Sequence, residues 1–149
     1  MKPPIQTEIE VTSDLKAIDL VLFQYNQIYH NTIPQQDWLQ CQLALVEGFT
    51  NAVRHAHKNL PKETPILIAI LIDRQKMIIR IWDYGKPFDL KNFIKTISQK
   101  NRSWEGSGRG IAIMHKIADS LSYKRVSERQ NCLKIIKYFR YRSQAKLLR

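Results

Sequence analysis

The chain has 149 residues, of which 44% are hydrophobic and 25% charged, as in a soluble globular protein. No apolar run approaches the roughly 20 residues that a membrane-spanning helix needs, and residues 1–10 lack the apolar core of a signal peptide. The net charge is +11. We therefore expect one cytoplasmic domain, spanning residues 1–149, that does not attach to a membrane.

The N-terminal part predicts one strand and two helices. Residues 5–11 alternate apolar and polar side chains, as a half-buried strand does. Ser13 or Asp14 can cap the first helix. Its apolar residues at helical spacing are Leu15, Ile18, Leu22, Tyr25 and Tyr29. The second helix is expected over about residues 35–57, where Gly48 indicates a close backbone approach.

The rest of the chain predicts four strands and two helices. The β-rich runs are residues 66–73, 77–82, 122–127 and 133–141. The helical runs are residues 90–97 and 111–121. Residues 74–76 form a turn between the first two of these strands. This order of elements favours an α/β (α+β) two-layer sandwich with a mixed or antiparallel sheet.

The cysteines and the charge distribution narrow the classes of function. Cys41 and Cys132 are far apart and show no metal-ligand spacing, which indicates reduced thiols. The basic residues after position 123 are Lys124, Arg125, Arg129, Lys134, Lys137, Arg140, Arg142, Lys146 and Arg149, against Glu128 alone. They predict a patch for an acidic partner, or a solvated strand face with a cationic tail at about residues 140–149. We do not expect nucleic-acid binding, because the sequence has no zinc-finger spacing and no RNA-binding aromatic signature.

A polar row lies within the second predicted helix. Glu47, Asn51 and His55 are four residues apart and therefore share one helix face. The Asn51 side-chain oxygen could bind Mg²⁺, which takes one or two protein oxygens together with phosphate oxygens and water. Glu47 could act as a general base, and His55 could donate to a phosphate. The alternative is a polar stripe that faces solvent.

A second motif follows the predicted strand at residues 77–82. Asp83 stands where the strand ends, and a carboxylate fixed there can accept a hydrogen bond from the exocyclic amine of adenine. Gly85 lets the backbone turn and approach the base closely. The alternative is an ordinary turn, since Asp and Gly are common in turns.

A third motif is the glycine cluster at residues 106–110. Closely spaced glycines such as Gly108 and Gly110 allow backbone N–H groups to converge on phosphate oxygens in front of a helix. Arg109 could pair with a terminal phosphate. The cluster matches neither the GxxxxGK[ST] pattern nor GxGxxG after a strand, and a flexible linker is the alternative.

Taken in order, the three motifs resemble those of the Bergerat-fold ATPases, which include gyrase, histidine kinases and the bacterial anti-sigma-factor serine/threonine kinases. Glu47, Asn51 and His55 resemble the N box of that group. Residues 83–89, with Asp83 and Gly85, resemble the first glycine box in the form typical of the anti-sigma kinases, and residues 106–111 resemble the second. The resemblance extends from the first strand to about Phe139, and the short chain favours the stand-alone anti-sigma kinases.

The resemblance implies a Bergerat-type fold with helices on one face of the sheet and a mobile ATP lid at about residues 89–109. It implies ATP and Mg²⁺ as cofactors, Glu47 as the general base, Asn51 as the metal ligand and Asp83 as the adenine ligand. Gly108 and Gly110 would contact the phosphates. Basic residues of the lid would be Lys91, Lys95, Lys100 and Arg102.

The resemblance also implies partners: a sigma factor, an anti-sigma antagonist that is phosphorylated on Ser or Thr, and a second copy of the chain in a homodimer. One departure concerns phosphotransfer, because some members carry an arginine just before the second glycine box, where this chain has Gly106. Arg109 could substitute for it. The alternative function is a binding module in which ATP or ADP switches partner capture without phosphotransfer.

Overall fold

A computed structural model describes residues 4–100 and 107–141, with side chains described for residues 4–97 and 108–141. The five strands are β1 (Ile5–Thr12), β2 (Pro65–Ile72), β3 (Lys76–Asp83), β4 (Ser120–Arg125) and β5 (Asn131–Tyr138). The helices are α1 (Ile18–Gln27), α2 (Gln35–Asn51), α3 (Leu90–Lys100) and α4 (Ser107–Ile117). A 3₁₀ turn at Leu15–Ala17 precedes α1, and a π-helical turn at Ala52–Ala56 follows α2.

The strands form one sheet in the order β1-β2-β3-β5-β4, and every neighbouring pair is antiparallel. The sheet is therefore antiparallel rather than mixed. The register places Asp83 opposite Asn131 and Ile81 opposite Leu133. It also places Tyr123 opposite Leu133 on the other side of β5. The pairing thus brings the end of β3 close to residues of the last hairpin.

The helices pack on one face of the sheet, which confirms the predicted two-layer α+β architecture. Alternate residues of the central strands enter the core, among them Ile68, Ile79 and Ile135, each at most 1% exposed. From the helical layer, Leu45 and Phe49 of α2 are completely buried in the same cluster. This alternation follows from the two-residue repeat of a strand.

Gly48 brings α2 unusually close to the sheet, as the sequence predicted. A methyl group on Gly48 would lie 2.7 Å from Ile81 Cδ1 and 3.2 Å from Leu133 Cδ2. Glycine lowers the stability of a helix interior by about 1 kcal/mol relative to Ala, but only glycine allows this close contact. The close packing sets the distance between α2 and the ends of β3 and β5.

The first predicted helix differs in detail from the observed one. Asp14 caps the 3₁₀ turn by accepting a hydrogen bond from the Lys16 N–H at 3.0 Å, as expected. Leu15 and Tyr29 are exposed, whereas Val21 and Tyr25 are the buried residues of α1. The 3₁₀ turn and the early end of α1 at Gln27 shift the predicted apolar stripe, because residues 15 and 29 lie outside the α-helical span.

The fourth helix begins four residues earlier than predicted, and the glycine cluster is not a loop over its described part. Ser107, Gly108, Arg109 and Gly110 already belong to α4, which ends at Ile117 rather than Leu121. Leu121 belongs to β4. Two glycines lower helix propensity, so the prediction began the helix only after them, but tertiary packing overrides that preference. Gly106 and Arg102 lie outside the described residues.

Candidate functional site

Helix α2 and its π-helical turn carry the predicted polar row. Glu47 and Asn51 are half-buried near the end of α2, and His55 is exposed in the π-helical turn. The His57 N–H donates to the Ala52 carbonyl at 2.8 Å, five residues back, which defines the wider turn. Such single π turns interrupt α-helices frequently at functional sites.

The first turn of α4 lies directly against Glu47 and Asn51. A methyl group on Gly110 would lie 2.7 Å from Glu47 Oε2 and 3.3 Å from Asn51 Oδ1. Any larger residue at position 110 would therefore displace the Glu47 carboxylate. Because position 110 is glycine, the side-chain oxygens of Glu47 and Asn51 can lie against the backbone at the start of α4. The first N–H groups of a helix have no acceptor within the helix.

Asp83 is the last residue of β3, and it is 3% exposed. Its Oδ1 atom accepts hydrogen bonds from the Gly85 N–H at 2.8 Å and from Asn131 Nδ2 at 3.0 Å. The Tyr123 hydroxyl lies 2.7 Å from Oδ2 and 2.9 Å from Oδ1. The carboxylate is thus held by three neutral donors, which fix its orientation.

The turn after Asp83 is anchored to the π-helical turn. A methyl group on Gly85 would lie 2.8 Å from both the carbonyl oxygen and Cβ of Ala56, so only glycine fits here. The Tyr84 N–H donates to His57 Nε2 at 2.8 Å. Gly85 was predicted to allow a close approach to a base; the close approach that the structure shows is to Ala56.

His57 has an unusual environment. It is 2% exposed, and its Nδ1 atom has no hydrogen-bond partner among the described residues. Because Nε2 accepts the Tyr84 N–H, the neutral ring carries its proton on Nδ1. Burial lowers the pKa of His57, and the neighbouring Asp83 carboxylate offsets part of this effect. The contact with Tyr84 therefore requires the neutral ring.

A cavity of about 450 Å³ lies between α2, the end of β3 and helices α3 and α4. Its volume is within the range of ligand-binding pockets. Four predicted site residues line it: Asn51, His55, Asp83 and Gly85. Ile81, Ile111, Met114 and Leu133 provide an apolar floor, and Phe88, Phe93 and Tyr123 provide an aromatic wall.

The other predicted site residues lie near this cavity or away from it. Glu47 and Gly110 contact each other beside Asn51. Gly108 is partly exposed on the first turn of α4, and Arg109 is exposed there. Lys91 and Lys95 are exposed on α3, which packs Leu90 and Phe93 toward the core. The first part of the predicted lid is thus a helix packed against the cavity.

The matches to known proteins agree with this arrangement. The family model of the histidine kinase-like ATPase domain matches residues 11–137. The chain belongs to this family. The match covers β2, β3 and β4 completely, β5 apart from its last residue, and the last two residues of β1. None of the curated proteins compared with this ATPase domain matches it.

Membership in the family supports an ATP-binding, ATPase-like or kinase-like function for this domain. No helix within residues 4–100 or 107–141 is long and apolar enough to cross a membrane. Among the same residues there is no group of three or more His, Cys, Asp or Glu side chains that could hold a metal ion by itself.

The sequence analysis missed several residues that contact the candidate site. Tyr123, Arg125 and Asn131 lie on the last hairpin, outside the three motifs. The Arg125 guanidinium donates to the Gly85 carbonyl at 2.8 Å, and so does Asn131 Nδ2 at 2.9 Å. Their signal in the sequence is weak, since it consists of single polar residues in β-rich runs. Only the strand register shows that they reach Asp83 and the turn after it.

Proposed function

We propose that this ATPase domain is a serine/threonine protein kinase of the anti-sigma type, which phosphorylates a small antagonist and thereby regulates the availability of a sigma factor. The observation that carries the proposal is the distribution of polar groups along one cavity. Asp83 and Asn51 both line this cavity, and Glu47 and Gly110 meet beside Asn51. A nucleotide-binding site needs both a group that recognises the base and a place that binds the phosphates.

At the base end, the Asp83 carboxylate would accept a hydrogen bond from the exocyclic amine of adenine. The Ile81, Met114 and Leu133 side chains offer an apolar surface for the base, and the cavity is large enough for a ligand of this class. A 6-oxo purine would instead place its carbonyl oxygen against the carboxylate, which is repulsive. Asp83 would therefore favour ATP over GTP.

At the phosphate end, the residues fit a magnesium-bound triphosphate. Asn51 Oδ1 and Glu47 Oε2 both lie against Gly110. Mg²⁺ keeps several waters and needs only one or two protein oxygens, so Asn51 would suffice as the protein ligand. The ion would neutralise charge on the triphosphate during transfer. Backbone N–H groups at Gly108 and Gly110 would contact the phosphate oxygens.

Glu47 would act as the general base. The substrate hydroxyl oxygen would attack the γ-phosphorus, its proton would pass to the Glu47 carboxylate, and the bond to the bridging oxygen of ADP would break. Positioning and charge neutralisation supply most of the rate enhancement in phosphoryl transfer. The phosphorylated antagonist would then be released by repulsion and desolvation at its interface. Arg109, exposed on α4, would approach the γ-phosphate from the side of the lid.

The test combines binding and transfer. ATP binding is measured by calorimetry with and without Mg²⁺, and transfer by incubation with labelled ATP, Mg²⁺ and antagonist-type proteins of the source organism. Glu47→Gln is expected to lower transfer by roughly 10²- to 10⁴-fold, as for loss of a general base, with little change in ATP affinity. Glu8→Gln, an exposed change on β1, serves as the matched control.

Two outcomes would overturn the kinase proposal. Undiminished transfer by Glu47→Gln would remove Glu47 as the base. Tight ATP binding by the wild type without any phosphorylated product would instead favour a nucleotide-dependent binding module. Asn51→Ala should abolish the Mg²⁺-dependent part of the ATP affinity, and an unchanged response to Mg²⁺ would remove Asn51 as the metal ligand.

A further inference from the structure

We propose that Tyr123 is the positioning residue that sets base specificity, because it holds the Asp83 carboxylate in the orientation that reads a 6-amino purine. The inference rests on the proposed adenine-binding role of Asp83 and adds to it a residue of the last hairpin. Tyr123 belongs to β4, an edge strand, and lines the cavity. Its side chain reaches across β5 to the end of β3.

The hydrogen bonds of Asp83 leave its two oxygens unequal. Oδ1 accepts from the Gly85 N–H and from Asn131 Nδ2, whereas Oδ2 accepts only from the Tyr123 hydroxyl among the described residues. The oxygen that retains free acceptor capacity is thus Oδ2, and Tyr123 fixes its position at 2.7 Å. This is the oxygen that the exocyclic amine of a base would use.

Tyr123 stays a hydrogen-bond donor at neutral pH. Burial raises the pKa of its phenol, and the charge and hydrogen bond of Asp83 raise it further. The described partners of the Asp83 side chain are all neutral, so its charge is balanced by directed hydrogen bonds rather than by a cation. Loss of one of these donors would let the carboxylate rotate or recruit water.

Packing holds the Tyr123 ring in place. The Phe88 ring meets it edge-on with centroids 6.3 Å apart, and Phe93 of α3 lies 5.5 Å from Phe88. The aromatic wall thus supports the phenol from the side of α3. A phenylalanine at position 123 would keep these contacts and would lose only the hydroxyl.

The experiment compares nucleotides that differ only at the 6-position of the purine. ATP and inosine triphosphate are titrated by calorimetry into the wild type, Tyr123→Phe and the control Tyr138→Phe, an exposed tyrosine on β5. Tyr123→Phe is expected to weaken ATP binding about tenfold and to change inosine triphosphate binding less than twofold, since only the amine uses Oδ2. Tyr138→Phe should leave both affinities unchanged.

A double-mutant cycle separates positioning from a general structural effect. If Tyr123 acts through Asp83, adding Tyr123→Phe to Asp83→Asn should change ATP affinity less than twofold. Asn131→Ser is a second variant that removes a hydrogen bond to the same carboxylate, and we expect it to lower the preference for ATP as well.

Two results would overturn the inference. An equal loss for both nucleotides in Tyr123→Phe would show a merely structural role, and so would additive effects in the cycle. If the wild type binds ATP but Asp83→Asn leaves the affinity unchanged, the proposed role of Asp83 fails first. If Asp83→Asn weakens binding and Tyr123→Phe does not, only the role of Tyr123 fails.

Discussion

Two buried aspartates, Asp83 and Asp37, are held near opposite ends of β5 in different ways. At the end that begins with Asn131, Asp83 is surrounded by neutral donors and borders the cavity. Toward the other end, Lys137 Nζ lies 3.8 Å from Asp37 Oδ1, and the Arg140 N–H donates to Asp37 Oδ2 at 2.7 Å.

We call the group of Asp37, Asp119, Lys137 and Arg140 the closed cluster. Each carboxylate in it has a cation partner: Lys137 for Asp37, and Arg140 for Asp119 at 2.5 Å. Asp119 also accepts a hydrogen bond from the Tyr138 N–H at 2.7 Å. These contacts attach the end of β5 to α2 and to the residue before β4. Lys137 and Arg140 are thus each paired with a carboxylate of the chain.

We call the group of Asp83, Gly85, Tyr123 and Asn131 the open cluster. Its carboxylate has a fixed orientation but no cation partner among the described residues, and one of its oxygens keeps acceptor capacity. The comparison shows how one strand serves two purposes. A buried charge that is paired contributes to the fold, whereas one that is oriented and left without a counter-charge is available to a ligand.

The largest effect is expected from breaking the closed cluster. Asp37→Ala leaves Lys137 buried without its partner, which costs about 3–5 kcal/mol of the free energy of unfolding in urea titrations. ATP affinity of the folded protein should change less than twofold. The double variant Asp37→Leu/Lys137→Met should recover most of the loss. A large loss of ATP affinity without a loss of stability would contradict the distinction between the two clusters.

Breaking the open cluster should have the opposite effect, a loss of ATP affinity with little loss of stability. Asp83→Asn is expected to weaken ATP binding by roughly 100-fold, the magnitude of a hydrogen bond to a charged group, and to weaken inosine triphosphate binding less. Stability should change by less than about 1 kcal/mol, because the amide oxygen can still accept from Gly85 and Asn131. Calorimetry and urea unfolding measure the two quantities, and a destabilised variant with unchanged ATP affinity would count against the assignment.

The turn that follows Asp83 should also be sensitive to mild acid, because its Tyr84 N–H donates to the neutral ring of His57. Its pKa in the folded state lies below the ordinary value of about 6.5, so stability is fully present above that pH and is lost as the pH falls toward the folded-state pKa. The loss is at most about 1.4 kcal/mol per pH unit. His57→Gln should lose less stability than the wild type between pH 7.5 and 5.5. His115→Gln, exposed on α4, should behave like the wild type.

The smallest effect is expected at the exposed side of the closed cluster. Burial alone would raise the pKa of Asp119, but the hydrogen bonds from Tyr138 and Arg140 outweigh it and keep the pKa below its ordinary value. Its contribution is therefore present at neutral pH and lost below about pH 4. Asp119→Ala should cost about 1 kcal/mol at pH 7 and less at pH 3, without an effect on ATP affinity. Equal losses at both pH values would show that the charge of Asp119 is not involved.

Most of the fold was predictable from the sequence, because long periodic segments identify strands and helices well. The sequence-based assignments were wrong where tertiary contacts determine the bounds of an element. The start of α4 was placed too late because the close approach of Gly110 to Glu47 overrides the low helix propensity of glycine. Leu15 and Tyr29 were assigned to the apolar stripe of the first helix, although the α-helix proper is shorter.

The motifs of the candidate site were predictable from the sequence, but the residues that hold Asp83 in position were not. The polar row at Glu47 and the strand-end Asp83 stood out because polar residues interrupt apolar patterns. Tyr123 and Asn131 did not, because their role depends on the register of β3, β5 and β4. Such a register is set by the whole sheet and leaves no short motif in the chain.

The π-helical turn at Ala52–Ala56 makes the site dependent on the exact length of the chain. Removing one residue there would restore a regular α-helix and rotate everything that follows by about 100°. Ala56 would no longer lie beneath Gly85, and His57 would no longer accept from Tyr84, although every residue type in the motifs would still be present. In this domain, insertions and deletions near position 54 are therefore expected to be tolerated less than substitutions.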